Sequence, residues 1–299
     1  DLRVKGLMFV SLMDTPMPTV TLLGIAQDGG RPHPGCQRPC CAGLGPEDVQ
    51  HPVSLGIVDE HGQGHLIEAT RALGEQLRIW GHPPLRSVLL THAHFGHVDG
   101  LGLFGRETLN ASGLNLYVSS SMQNLIERTP QWALMLDQGV FSTTSISSGV
   151  SHALSNEIHI EPIAVPHRAE LSDMHAFVVR GPNRSVLFLP DHDRWDDTLT
   201  HHGVSTIREW LTQLEVDVAL VDGTFWSSDE LSGRSQLEVP HPPVAESLER
   251  LGPRRDGDPD IIFIHLNHTN PLYNATSEQH QTLMDMGWTV GQQGMTFTL

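Results

Sequence analysis

The run Ser87-Val88-Leu89-Leu90-Thr91-His92-Ala93-His94-Phe95-Gly96-His97-Val98-Asp99-Gly100-Leu101 decides how the rest of the chain is read. Residues of buried-strand character end directly in a cluster of histidines. Side chains alternate along a strand, so His92 and His94 leave it on the same side. The chain then turns, and His97 swings back from the start of the next helix. Three imidazoles so close together can bind one divalent cation of borderline softness. The bland alternative is a surface loop that happens to be rich in histidine, but such a loop has no reason to follow a strand so tightly.

The same arrangement recurs further along. Ala164-Val165-Pro166-His167-Arg168, Leu187-Phe188-Leu189-Pro190-Asp191 and Phe263-Ile264-His265 each place a metal-ligating residue type at the end of an apolar, β-branched run. Strands are predicted over 19–25, 54–58, 65–68, 87–90, 114–118, 158–165, 176–179, 185–189, 216–221 and 261–265. Helices are predicted over 72–79, 98–106, 121–127, 206–214, 242–251 and 277–286. Strands pair early and then alternate with helices, which implies a mixed α/β fold with a layered sheet covered by helices. Residues 29–39 and 227–240 read as irregular loops.

The chain has 299 residues, enough for one large domain or two small ones. Its 35 acidic and 18 basic residues give a net charge of −17, which argues against binding nucleic acid through a broad basic face. No apolar run has the length of a membrane span. Residues 6–13 are apolar but short, and read either as a first strand or as the remnant of a leader. The expected location is therefore cytoplasmic, or periplasmic if a leader preceded Asp1. The expected partner is a small-molecule substrate; oligomeric state is not legible.

Two counts stand out: 19 histidines, and three cysteines, Cys36, Cys40 and Cys41, gathered in one loop. An odd, clustered set suits a metal site better than a disulfide framework, the alternative being three buried or free thiols.

His-x-His-x-x-His after a strand, followed by the strand-end His167, Asp191 and His265, resembles the metallo-β-lactamase superfamily over nearly the whole chain. The resemblance implies one αββα sandwich domain over 1–299. It implies that His92, His94 and His167 hold one metal, that His97 and His265 help hold a second, and that Asp191 bridges. One position departs: Gly96 stands where the superfamily usually has an aspartate ligand of the second metal. The expectation is a weakened second site, or single-metal occupancy, that an aspartate restored at 96 would strengthen. Neighbouring His192 or Asp193 are candidates to compensate.

Finer motifs point to subgroups. Gly24-Ile25-Ala26-Gln27-Asp28-Gly29-Gly30, the cysteine cluster, Val221-Asp222-Gly223-Thr224-Phe225-Trp226, Ile264-His265-Leu266-Asn267-His268-Thr269-Asn270-Pro271 and Gly294-Met295 resemble the PQQ-biosynthesis protein B family. That family commonly lacks the two leading histidines that this chain keeps. The cysteine loop and the His-x-x-His at 265–268 are also similar to the cyclic phosphodiesterase of phosphonate breakdown. That similarity implies a structural zinc held by Cys36, Cys40, Cys41 and His268, with His33 as an alternative fourth ligand, although the cysteine spacing departs from that family's. It also implies that His241, in Val239-Pro240-His241-Pro242-Pro243, is a general acid that protonates the leaving oxygen; otherwise His241 is a capping or surface histidine. Asp222 reads either as a partner that orients an imidazole or as a turn former before Gly223. Gly29-Gly30 reads as a tight turn, and His201, His202 and His280 as surface residues.

The function these features imply is a metal-dependent hydrolase with one or two zinc ions in the active site and one structural zinc. Asp191 would bridge the metals or bind the attacking water. Phosphodiesters are the first substrate class, with lactones and β-lactams as competitors. Histidines with a carboxylate also suit iron, so the alternative is an oxidative metalloenzyme; a third reading is a binding protein with a degraded site.

Overall fold

The computed structural model describes residues 17–230 and 239–299. Residues 6–13 lie outside them, as do 231–238 of the irregular stretch.

Two seven-stranded sheets form. The first contains β1 (Thr19–Gly24), β2 (Ser54–Val58), β3 (Gly64–Ile67), β4 (Leu85–Leu89), β5 (Leu114–Ser119) and β6 (Phe141–Ile146), with β14 (Thr296–Thr298) flanking β1. β1 to β3 pair antiparallel and β3 to β6 parallel. The second sheet contains β7 (His152–Ala153), β8 (His159–Ala164), β9 (His175–Arg180), β10 (Ser185–Leu189), β11 (Val218–Asp222), β12 (Asp260–Ile264) and β13 (Thr289–Val290). It repeats the plan, antiparallel from β7 to β10 and parallel from β10 to β13. Parallel neighbours need crossovers, and the helices supply most of them: α1 (Leu73–Trp80), α2 (Phe95–Val98), α3 (Ser120–Arg128), α4 (Pro130–Asp137), α5 (Trp195–His201), α6 (Ile207–Gln213), α7 (Val244–Leu251) and α8 (Glu278–Asp285).

Strand periodicity sorts the first sheet's side chains between two cores. Leu66, Val88, Leu116 and Val118 pack with Leu73 and Leu77 of α1, Met122 and Ile126 of α3 and Met135 of α4. Their neighbours Ile67, Leu89 and Tyr117 join Ile160, Phe177 and Leu187 of the second sheet. The layers are therefore helix, sheet, sheet, helix, as expected.

Strand direction places the site. β1, β3 and β4 run one way in the first sheet, and β8, β10, β11 and β12 run one way in the second. Their C-terminal ends carry every strand-end ligand named above. Backbone bonds from Gln27 N to Leu266 O (2.9 Å), Leu266 N to Ile25 O (2.8 Å) and His175 N to Thr91 O (3.0 Å) join the sheets at that edge.

Two local expectations are corrected. The helix expected over 98–106 is one turn of α2 followed by a 3-10 turn, Leu101–Phe104. Gly100 lies so close to the Thr70 carbonyl that a Cβ there would collide with it, and its N–H binds Ala69 O at 2.8 Å. The helix expected over 242–251 starts at Val244 with Pro243 as its cap, so His241 stands further from the helix start than expected. The sequence reading also missed α4, which starts at Pro130 after Thr129, α5, the short strands β7, β13 and β14, and β6, an edge strand of mostly polar residues. No helix among the described residues is long and apolar enough to cross a membrane.

Candidate metal centre

The histidines of the opening motif converge as their spacing implies. His92 Nε2 lies 2.9 Å from His94 Nδ1, which lies 3.3 Å from His167 Nε2. Asp191 Oδ2 is 3.1 Å from His92 Nε2. Donors about 2.0–2.1 Å from one tetrahedral ion stand about 3.3 Å apart, so these four residues can hold a cation. Their outer nitrogens are anchored: His92 Nδ1 on Thr91 Oγ1 (2.9 Å), His94 Nε2 on Glu170 (3.2 Å) and His167 Nδ1 on Asp193 (2.8 Å). Such outer partners fix ring orientation. Asp193 therefore serves His167 and does not compensate a second position. His192 bonds Thr198 Oγ1 at 3.0 Å away from the cluster, and burial pushes its pKa down to about 4.

The second group lies beside the first. Asp191 Oδ2 is 3.0 Å from His97 Nε2, and its Oδ1 is 3.0 Å from His265 Nδ1. Asp191 thus stands between the two groups, where a bridging ligand belongs. His97 Nδ1 binds Glu68 Oε1 at 3.1 Å, and Glu68 also accepts from Thr91 Oγ1. Glu68 and His265 follow β3 and β12 with φ of 71° and 59°. These left-handed turns, each of order 1–3 kcal/mol for a residue with a Cβ, occur where the strand-end side chains must point inward.

Sequence reasoning missed Glu68 as the support of His97. It also missed Asp28, whose Oδ1 is 3.5 Å from His97 Nε2 and 3.6 Å from His265 Nε2. The only available signals were an acidic residue closing β3 and another in a glycine-flanked turn after β1.

Electrostatics favour a cation here. Burial opposes charge on His97, but Glu68 and Asp191 outweigh it and hold the imidazole well above its ordinary range. His265 is likewise raised to about 10, Asp191 and Asp28 overcoming burial. Burial alone would raise the Asp191 carboxyl, yet His265 and His97 hold it well below its ordinary range. His97 Nε2, His265 Nε2 and Asp191 Oδ1 are buried without a hydrogen bond. Such atoms are scarce in folded proteins, and here they gather in one place, so the residues fit a metal.

His241 lies beside both groups. It is 2% exposed, so it is not a surface histidine, and its Nδ1 lies 2.7 Å from Asp222 Oδ2. Its ring centroid is 5.8 Å from that of His167 and 5.7 Å from that of His265. Asp222 is fully buried and its Oδ1 accepts from Thr224 N and Oγ1; it both makes the turn and orients an imidazole. A cavity of about 370 Å³ beside the centre is lined in part by Asp28, Arg38, Phe225, Glu230 and Asn267.

The cysteines form a separate group with His268. Cys36 and Cys40 Sγ are 3.8 Å apart, and His268 Nδ1 is 3.6 Å from Cys40 Sγ and 3.3 Å from Cys41 Sγ. Thiolates about 2.3 Å from tetrahedral zinc stand about 3.8 Å apart. The His33 ring lies tilted against that of His268, with centroids 4.5 Å apart, and is not in the group. His201 is exposed, His202 stacks on Trp210, and His280 Nδ1 bonds Leu272 O, so none joins a site.

Fold and site together define a metallo-β-lactamase-type sandwich with candidate metal-binding residues at its strand ends. Residues 62–266 match the family model of the beta-lactamase superfamily domain, and the chain belongs to that superfamily. Within it the chain is PqqB-like. It is 27% identical to coenzyme PQQ synthesis protein B of Cupriavidus taiwanensis, over 95% of this chain and 100% of that protein. It is 28% identical to that of Xanthomonas axonopodis pv. citri, over 78% and 79%. Among solved structures, the fold is similar to zinc-bound PqqB from Methylobacterium extorquens, with TM-score 0.75 and 18% identity over 94% of this chain and 100% of that one. It is also similar to a diphosphatase of the PhnP family, with TM-score 0.66 and 16% identity over 94% and 97%.

Proposed function

We propose that this protein is a metal-dependent hydrolase of phosphodiesters, with the bond to be cleaved lying between the histidine–aspartate cluster and His241. The observation that carries the reading is the buried Asp222–His241 pair facing that cluster. When bound, a divalent cation supplies Lewis acidity and lowers the pKa of its water towards neutrality. The protein's own residues do the rest. His92, His94, His167 and Asp191 are the ligands of one position, and His97 and His265 share Asp191 with a second. An alkoxide leaves slowly unless it is protonated. With Nδ1 held by Asp222, His241 delivers that proton from Nε2, while the carboxylate stabilises the charged ring. The cysteines and His268 hold a structural zinc.

A fold neighbour described as a diphosphatase supports a phosphate-containing substrate. Lactones and β-lactams are the competing classes. The second reading is an oxidative metalloenzyme, supported by PQQ-synthesis relatives that match 95% of the chain and by a ligand set that also suits iron.

The test is His241→Ala. It is expected to keep its metal content and to lose about 10²–10⁴-fold in rate on alkyl phosphodiesters, with little loss on bis(p-nitrophenyl) phosphate, whose leaving group needs no proton. Equal losses on both remove His241 from the mechanism. Parent protein loaded with zinc or iron and tested on phosphodiesters, lactones and β-lactams, with oxygen uptake followed, separates the readings. Oxygen consumption without hydrolysis would favour the oxidative one.

A further inference from the structure

Gly96 removes a carboxylate from the motif, and the turn after β1 brings another to the same place. We propose that Asp28 is a metal ligand transposed from position 96, so that the second cation position is built from Asp28, His97, His265 and Asp191. The proposal rests on the metal-centre reading above and specifies the ligands of its second half.

Two independent observations carry it. Asp28 Oδ1 stands 3.5 and 3.6 Å from the buried Nε2 atoms of His97 and His265. Neither nitrogen has a hydrogen bond. Those separations are long for hydrogen bonds but match ligands about 2.0–2.2 Å from a shared ion, which stand about 3.3–3.6 Å apart. Separately, a Cβ built on Gly96 would collide with the Asp28 carboxylate and come within 2.6 Å of its Cα. The space that a side chain at 96 would use is already filled by the carboxylate of residue 28. A side chain at 96 would therefore have to displace the backbone of residue 28 as well as its carboxylate.

Asp28 is held in place from both sides. Gln27 N bonds Leu266 O at 2.9 Å, and Gly30, at φ 69°, closes the turn by bonding Gln27 O at 2.7 Å. Beyond it the loop carries Cys36, Cys40 and Cys41, while the segment beyond His265 reaches His268. The cysteine–histidine group therefore ties together the two segments that bear Asp28 and His265. The expected repair by an added aspartate meets an obstacle, since its Cβ would collide with Asp28; on this proposal Gly96 makes room for a ligand instead of removing one.

The test alters the two residues in turn. Zinc-depleted parent, Asp28→Ala and Gly96→Asp are reloaded with zinc. Ions per chain are counted by plasma mass spectrometry, and affinities are measured by titration with a competing chelator. The parent is expected to hold two ions besides the one at the cysteines. Each variant is expected to lose one of those two, or to bind it at least about 10–100-fold more weakly. Circular dichroism checks folding, and Asp28→Asn replaces any single variant that does not fold. Unchanged stoichiometry and affinity in Asp28→Ala or Asp28→Asn would overturn the proposal. A parent with a single ion at the histidine cluster overturns the proposal but leaves the hydrolase reading standing. A parent with no ion there defeats both.

Discussion

Replacing Asp222 with asparagine keeps its shape and removes only its charge and half of its acceptor capacity. Both carboxylate oxygens are in use: Oδ1 accepts from Thr224 N at 2.9 Å and Thr224 Oγ1 at 2.7 Å, and Oδ2 from His241 Nδ1 at 2.7 Å and His192 N at 3.2 Å. An amide offers one oxygen, so its NH2 must face a backbone N–H on one side or the other. The Thr224 hydroxyl can rotate, and His241 can move its proton to Nε2, but the Thr224 or His192 N–H cannot adapt. One buried backbone donor is left unsatisfied, at a cost of about 1–3 kcal/mol of stability. The effect on rate is separate: without the carboxylate the charged form of His241 has no counter-ion, and the general-acid contribution of about 10²–10⁴-fold is lost. Burial opposes the charge on Asp222, but His241 outweighs it and lowers the carboxyl below its ordinary range. The carboxylate is therefore charged throughout pH 5–8, and any contribution to stability is lost only as pH falls through that lowered value. The assay is kcat/KM for Asp222→Asn across pH 5–8 on an alkyl phosphodiester and on bis(p-nitrophenyl) phosphate. The expected loss is confined to the alkyl substrate and spans that pH range. Equal losses on both, accompanied by lost metal, would show that Asp222 merely supports the fold and refute the reasoning.

Cys41→Ser is expected to lower zinc content by one ion and the melting temperature with it, because coordination free energy in such a group is folding free energy; Cys41 is 5% exposed and its Sγ lies 3.3 Å from His268. A lower melting temperature at unchanged zinc content would refute the role. Burial pushes the Glu230 carboxyl up to about 7. The folded state thus binds this proton more tightly than the unfolded chain, so the stabilisation is full below the free value near 4.3 and is lost as pH rises through 7. Glu230→Gln is expected to be more stable relative to the parent at pH 8.5 than at pH 5 by roughly 1–2 kcal/mol, the half-buried position reducing the full effect. Parallel urea-unfolding curves for the two proteins across that range would rule it out.

Much of the candidate centre was legible because most of the histidines and the aspartate that converge there end a strand. A buried strand is an apolar run with β-branched residues, and a histidine or aspartate at its end stands out against it. His92, His94, His167, Asp191 and His265 all satisfy that test, and so they were found. Glu68 satisfies it too, but it lies beside no second ligand in sequence, and its value depends on His97 being 3.1 Å away in the fold. The edge strand β6 escaped because Phe141-Ser142-Thr143-Thr144-Ser145-Ile146 presents little apolar surface to either core. The helix over 98–106 was overextended because periodicity does not register how closely Gly100 approaches Thr70. Asp28 shows the same limit most clearly. A motif read position by position makes each ligand a property of its own place, so glycine at 96 reads as a loss. A cation requires only that donor atoms converge. The pairing of residues 25–27 with Leu266 after β12 brings Asp28 to the space beside Gly96. A glycine within a ligand motif is therefore as consistent with room made for a carboxylate from elsewhere as with a site in decay, and only the long-range packing separates the two.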